Sequence, residues 1–240
     1  MYNIVMDKDV YIFVGRSGCG KGTQKDLLIK KLQSLNLPYL SMYVGDFLRE
    51  FQNTGSDVAK RIKIGMDRGT LAPSFVAVSS WGNVLMRDYK EGQSLIFDGT
   101  PRTLAEAYVL ESAFDFLDFV HPIVVHLNVS NKWSKDRLLA RGRKDDTEIE
   151  IEERLTWFET NVTPVINYFR GRTSYQFIEV NGEQTIDQVA SDIMRQLPFL
   201  NKAPNPSTVA RSYGYVSSSE AVNMPQNVNK NQNISGNQNP

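Results

Sequence analysis

Along the chain, short apolar runs alternate with longer stretches in which apolar residues recur at helical spacing. Val10 to Val14 (VYIFV) is the first run. It is rich in β-branched and aromatic residues and closes on glycine, which predicts a strand buried on both faces. From Lys21 onward, Leu27, Leu28, Leu32 and Leu35 follow a helical period until Asn36 and Pro38 end it. Tyr39 to Tyr43 predicts a second, weaker strand, and short helices are expected around Asp46 to Phe51 and Ser56 to Arg68. A helix after Pro73 leads into a third strand, Ser94 to Asp98; Ile123 to Val129 and Tyr175 to Val180 complete the set, with helices between. This order predicts a parallel sheet covered on both faces, because parallel neighbours need crossover connections. His126 lies inside an apolar strand, and Trp133 and Trp157 occupy helical positions, so all three read as packing residues.

The pattern stops after Leu200, where Asn, Gln, Pro and Ser take over. A segment of that composition buries too little apolar area to offset its ordering entropy, so residues 201–240 are expected to be a disordered tail whose partner, if any, is unknown. Residues 1–200 are then one domain. The full chain carries 27 basic and 27 acidic residues among 240, a formal net charge of zero, which argues against a nucleic-acid-binding or polybasic membrane protein. No apolar run approaches the roughly 18 residues of a membrane span. The first residues, MYNIVMDKDV, carry acids where a signal peptide would carry bases followed by a long apolar run. The expectation is a soluble cytoplasmic protein that acts as a monomer. Cys19 is the only cysteine, which rules out an intramolecular disulfide and a zinc site built on a cysteine cage.

Chemistry first enters directly after the first strand, with Gly15-Arg16-Ser17-Gly18-Cys19-Gly20-Lys21-Gly22-Thr23 running into the helix. Glycines let backbone N–H groups turn around phosphate oxygens, the helix N-terminus adds its positive end, and Lys21 can reach the β- and γ-phosphates. The strict strand-loop-helix pattern has its hydroxyl directly after lysine, whereas here Gly22 intervenes before Thr23. Cys19 occupies a variable position of the loop and reads as a small filler.

The loop resembles that of the adenylate kinase family of nucleoside monophosphate kinases, and further segments extend the likeness in the family's order. Val44-Gly45-Asp46-Phe47-Leu48-Arg49 is similar to the monophosphate-binding motif, Gly69-Thr70-Leu71-Ala72-Pro73 to its G-x-L-V-P segment, and Asp98-Gly99-Thr100-Pro101-Arg102-Thr103 to its D-G-F-P-R-T, with Thr100 replacing an aromatic residue. Arg141-Gly142-Arg143-Lys144-Asp145-Asp146 with the later Arg154-Leu155 resembles a lid and returning helix. The resemblance implies a three-layer P-loop NTPase α/β fold with a five-stranded parallel sheet, a helical monophosphate-binding segment near 41–72 and a short lid near 141–148. It implies transfer of a phosphoryl group from ATP to AMP. Transfer of this kind asks a catalyst mainly to position groups and neutralise charge. By position, Lys21, Arg102, Arg141, Arg143 and Arg154 would be catalytic, and Gly15, Gly18, Cys19, Gly20, Lys21, Gly22 and Thr23 would cradle the ATP phosphates. Val44, Gly45, Arg49, Leu71, Gly99, Arg102 and Glu106 would bind the acceptor. Asp98 and Thr23 would hold Mg²⁺, partly through water. A short lid and a single cysteine imply no zinc.

Base choice stays open in the sequence. The family usually has Gln where this chain has Glu106, and Val44 replaces a threonine that commonly contacts the base. An ionised carboxylate only accepts hydrogen bonds, so Glu106 suits a base edge with two donors better than adenine. Alternatively it faces solvent or is protonated, and the backbone at Leu71 and Ala72 sets the preference for adenine. A kinase for GMP, CMP or UMP, and a nucleotide-binding interaction protein without turnover, are the competing functions.

Overall fold

The computed structural model of the chain describes residues 8–143 and 146–197. The expected tail, residues 201–240, and two residues of the expected lid, Lys144 and Asp145, lie outside the described residues.

Five parallel strands form one sheet: β1 (Val10–Gly15), β2 (Tyr39–Tyr43), β3 (Ser94–Asp98), β4 (Ile123–Asn128) and β5 (Gln176–Asn181), in the spatial order β2-β3-β1-β4-β5. Every residue of β1 from Val10 to Val14 is buried, as a central strand covered on both faces requires. Its side chains divide between two layers. Tyr11 and Phe13 pack with Leu28 and Leu32 of α1 (Lys21–Ser34) and with Val189 and Ile193 of α9 (Ile186–Met194). Val10, Ile12 and Val14 face the opposite layer. There Trp81 of α4 (Ser74–Asp88), Phe114 of α5 (Leu104–Phe116) and Phe169 of α8 (Thr163–Arg170) fill the core. The remaining helices are α2 (Val44–Phe51), α3 (Asp57–Asp67), α6 (Asn131–Arg141) and α7 (Glu148–Trp157). No helix among the described residues is long and apolar enough to cross a membrane.

The predicted strands are all present, with ends shifted by a residue or so. β5 begins at Gln176 and alternates buried Ile178 and Val180 with exposed Glu179 and Asn181, the pattern of an edge strand. α2 starts at Val44, earlier than the polar pattern suggests, because Tyr43 is extended and acts as its N-cap. A π-helical turn, Phe158–Val162, joins α7 to α8 and was not expected. It ends two residues before Pro164, which has no N–H to continue the i→i−4 ladder. His126 is buried as expected, beside Phe177 and 3.5 Å from Glu179, and burial pushes its imidazole below the ordinary range.

Register decides what the sheet presents at its carboxyl edge. Phe13 pairs with Asp98, and Asp98 with Tyr43, so the ends of β1, β3 and β2 arrive side by side. In open parallel sheets this edge is where ligands bind.

Candidate active site

β1 ends at Gly15, whose φ is 147°. A Cβ there would lie 2.6 Å from the Leu127 carbonyl oxygen and 2.8 Å from Cys19 Sγ, so only glycine lets the chain turn at this point. Beyond it the Cys19 amide donates to Arg16 O at 3.2 Å, and α1 opens after Gly20 with no side-chain cap. Its first N–H groups are therefore available to an anion. Lys21 Nζ folds back over the loop, donating to Gly15 O at 2.7 Å and Arg16 O at 2.8 Å. Arg16 fastens the loop from outside by donating to Asn131 Oδ1 and Val129 O, while its guanidinium lies 4.5 Å from the Phe158 ring.

The loop forms the floor of a cleft of about 810 Å³. On one wall, Asp98 ends β3 and is 3% exposed. Burial raises its carboxyl above the ordinary range, and Lys21, Lys25 and Arg102 offset that only in part. Lys25 Nζ stands 3.9 Å from Asp98 Oδ2 and 5.1 Å from the centre of the Tyr43 ring. Arg102 donates through Nε to Gly99 O at 2.7 Å, and its guanidinium lies 5.5 Å from the Trp157 ring. Arg49, on α2, pairs with Asp46 and lies 5.4 Å from Tyr43.

The cleft is also lined by an arginine cluster built around one carboxylate. Arg141 donates to both Asp146 oxygens, at 2.8 and 2.7 Å; Arg154 Nη1 donates to Oδ1 at 2.8 Å, and the Arg143 amide to Oδ2 at 3.1 Å. Burial alone would raise the Asp146 carboxyl; these donors outweigh it and hold the group below its ordinary range. Farther along, the Arg137 guanidinium lies 4.8 Å from the Trp133 ring, giving a flat cationic and aromatic surface of the kind that receives a base.

Of the residues expected from sequence, the cleft brings together Gly18, Cys19, Gly20, Lys21, Gly22, Thr23, Gly45, Arg49, Asp98, Gly99, Arg102, Arg141, Arg143 and Arg154. Gly15, Val44, Leu71 and Glu106 are not among its lining residues. Gly15 shapes the turn, and Val44 is 4% exposed in the core. Glu106 is turned toward Thr100 and the Arg102 amide. Lys25, Tyr43, Trp133, Arg137 and Trp157 also line the cleft, although sequence reasoning passed over them or, for the tryptophans, assigned them to packing. Trp157 does pack against the core as expected, and in addition its Nε1 donates to Gly69 O at 2.8 Å, a partner far away in sequence. Lys25 carried a local signal, lying one helical turn after Lys21 on the same face.

Among the described residues no three His, Cys, Asp or Glu side chains cluster as a metal cage. Asp98 with the exposed hydroxyl residue Thr23 forms a sparse oxygen set. Such a set fits an ion that keeps most of its water and shares a ligand's phosphates.

The sequence profile described as Adenylate kinase matches residues 13–174. An adenylate kinase of Prochlorococcus marinus is 30% identical over 190 residues, covering 79% of this chain and 99% of the relative. Those of Corynebacterium urealyticum and Oenococcus oeni are each 30% identical, over 179 and 182 residues, each covering 75% of this chain and respectively 93% and 94% of the relative.

Proposed function

The chain belongs to the adenylate kinase family and is a nucleoside monophosphate kinase, and from that premise we propose that it transfers the terminal phosphoryl group of ATP to AMP, giving two ADP. The observation that carries this reading is the convergence of Lys21, Arg102, Arg141 and Arg154 on a single cleft floored by a phosphate-type loop. An oxygen of the AMP phosphate attacks the γ-phosphorus in line, the bond from that phosphorus to the β–γ bridging oxygen breaks, and ADP leaves with the electron pair. The chain's work is to hold both phosphates in that line and to neutralise charge on the transferring oxygens. Lys21 and the open amides of α1 hold the ATP phosphates, Arg49 and Arg102 hold the acceptor phosphate, and Arg141, Arg143 and Arg154 face the group in flight. Arginine suits these positions because its planar fork meets phosphate oxygens in pairs.

Mg²⁺ supplies further neutralisation when bound with the nucleotide, and Asp98, through water, and Thr23 would hold it. Closure of the segment near 41–72 and of the short lid near 141–148 excludes water that would otherwise take the phosphoryl group. The proposal extends to a cytoplasmic protein that acts as a monomer. AMP stands ahead of GMP, CMP and UMP because Glu106, the departure that favoured another base, has an oxygen engaged with the loop and does not line the cleft. The test is a panel of AMP, GMP, CMP, UMP and dTMP under steady-state conditions. AMP is expected to give the highest kcat/KM, and a higher value for GMP would move the assignment.

A further inference from the structure

Glu106 lies in the first turn of α5 and is 2% exposed. Burying a carboxylate is costly unless donors meet it, and the donors that meet this one belong to the segment that carries Arg102. Oε2 accepts from the Arg102 backbone N–H at 2.8 Å and from Thr100 Oγ1 at 3.3 Å. The arrangement is a displaced capping box. Thr103 caps α5 by accepting from the Glu106 amide at 3.2 Å, yet the Glu106 carboxylate reaches past the Thr103 amide to the residue before it.

The side chain of Arg102 is fixed independently, by Gly99 O at 2.7 Å and the Trp157 ring at 5.5 Å. Backbone and guanidinium are thus each tethered, and the backbone tether is Glu106. We propose that Glu106 is a positioning residue for Arg102, holding the 100–102 turn through Oε2, and that it does not read the acceptor's base. Thr100 supplies the second donor to the same oxygen, so Thr100 and Glu106 act as a pair. The proposal rests on the reading of Arg102 as a ligand of the acceptor phosphate. Since every nucleoside monophosphate presents that phosphate, the effect of Glu106 must be the same whatever the base.

The test compares wild type with Glu106→Ala, Glu106→Gln and Thr100→Val, using AMP, GMP, CMP and UMP with ATP as donor. Wild-type turnover is measured first; absence of turnover with every monophosphate would sink the functional reading itself, separately from this proposal. Glu106→Ala is expected to raise KM about tenfold, by a common factor for every monophosphate that wild type turns over, with KM for ATP unchanged. Glu106→Gln keeps a carbonyl oxygen in the same place and is expected to bring KM back to within about threefold of wild type without reordering the bases. Thr100→Val removes the longer bond and is expected to raise KM about twofold. It also keeps the question open to measurement if Glu106→Ala does not fold. The proposal is overturned if Glu106→Gln reorders the bases. It is also overturned if Glu106→Ala, or Thr100→Val in its place, changes KM by factors that depend on the base or lowers kcat alone.

Discussion

Arg154 Nη1 donates to Asp146 Oδ1 at 2.8 Å, and the Asp146 side chain is fully covered there. Arg141 reaches the same oxygen, so one carboxylate holds two guanidinium groups that would otherwise repel each other across the cleft wall. Replacing Asp146 by Asn removes the negative charge that both guanidinium groups share and should cost about 3 kcal/mol, read as a lower urea midpoint at unchanged slope. The pH dependence follows from the same contacts. The Asp146 carboxyl is held below its ordinary value of 3.8, so its stabilisation is complete above that value and is lost as pH falls through the lower folded one. Wild type should therefore lose stability below about pH 4, and Asp146→Asn should lack that part of the loss.

Among the described residues the hydrogen bonds of Lys21 Nζ go to its own loop, the Gly15 and Arg16 carbonyls and Cys19 Sγ, so its removal should harm catalysis far more than folding. Lys21→Met is expected to lower kcat about 10²–10³-fold, with a thermal midpoint close to wild type. An ADP-release assay beside a melting curve separates the two effects. Loss of activity that merely tracks loss of folded protein would remove Lys21 from the catalytic set.

How much of this was legible beforehand differs from residue to residue. β1 and its loop were readable because a buried parallel strand and a phosphate-type loop both write themselves into consecutive residues. Glu106 was not readable in the same way. Its position in a motif puts it near the acceptor, but the direction of its carboxylate depends on where the amide of Arg102 and the hydroxyl of Thr100 lie. Trp157 packs against the core as its helical spacing implies, but its second role on the cleft wall depends on Gly69 and Arg102, brought in from other elements. The π-helical turn had a local cause in Pro164, but a missing N–H predicts only that a helix is disturbed, not how the ladder is repaired.

Asp98 should trade stability against function. Burial lifts its carboxyl above 3.8, so in the folded state the neutral form is relatively favoured, and the stability due to this group falls as pH rises through the raised folded value. At neutral pH the ionised group is therefore a liability to folding. Asp98→Asn is expected to raise the urea midpoint while lowering kcat about 100-fold, the signature of a strained active-site charge. A lower midpoint would mean that its attraction to Lys21, Lys25 and Arg102 outweighs its desolvation.

Gly69 has φ 71°, and a Cβ there would lie 2.7 Å from the Glu150 carbonyl oxygen. Gly69→Ala meets both the backbone strain and the contact, and should cost about 1–3 kcal/mol. The turn also accepts the Trp157 indole N–H, so KM for the monophosphate should rise while KM for ATP holds. Equal changes in both constants would detach this turn from the acceptor side.

The three tryptophans are distributed in a way that makes the enzyme its own optical instrument. Trp81 is 4% exposed in the core and reports on unfolding, whereas Trp133 and Trp157 stand on separate stretches of the cleft wall, each within reach of an arginine. With Trp81 and one cleft indole replaced by Phe, the emission of the remaining indole would follow occupancy at its own end of the cleft. Donor and acceptor binding would then be separable in real time, without a label.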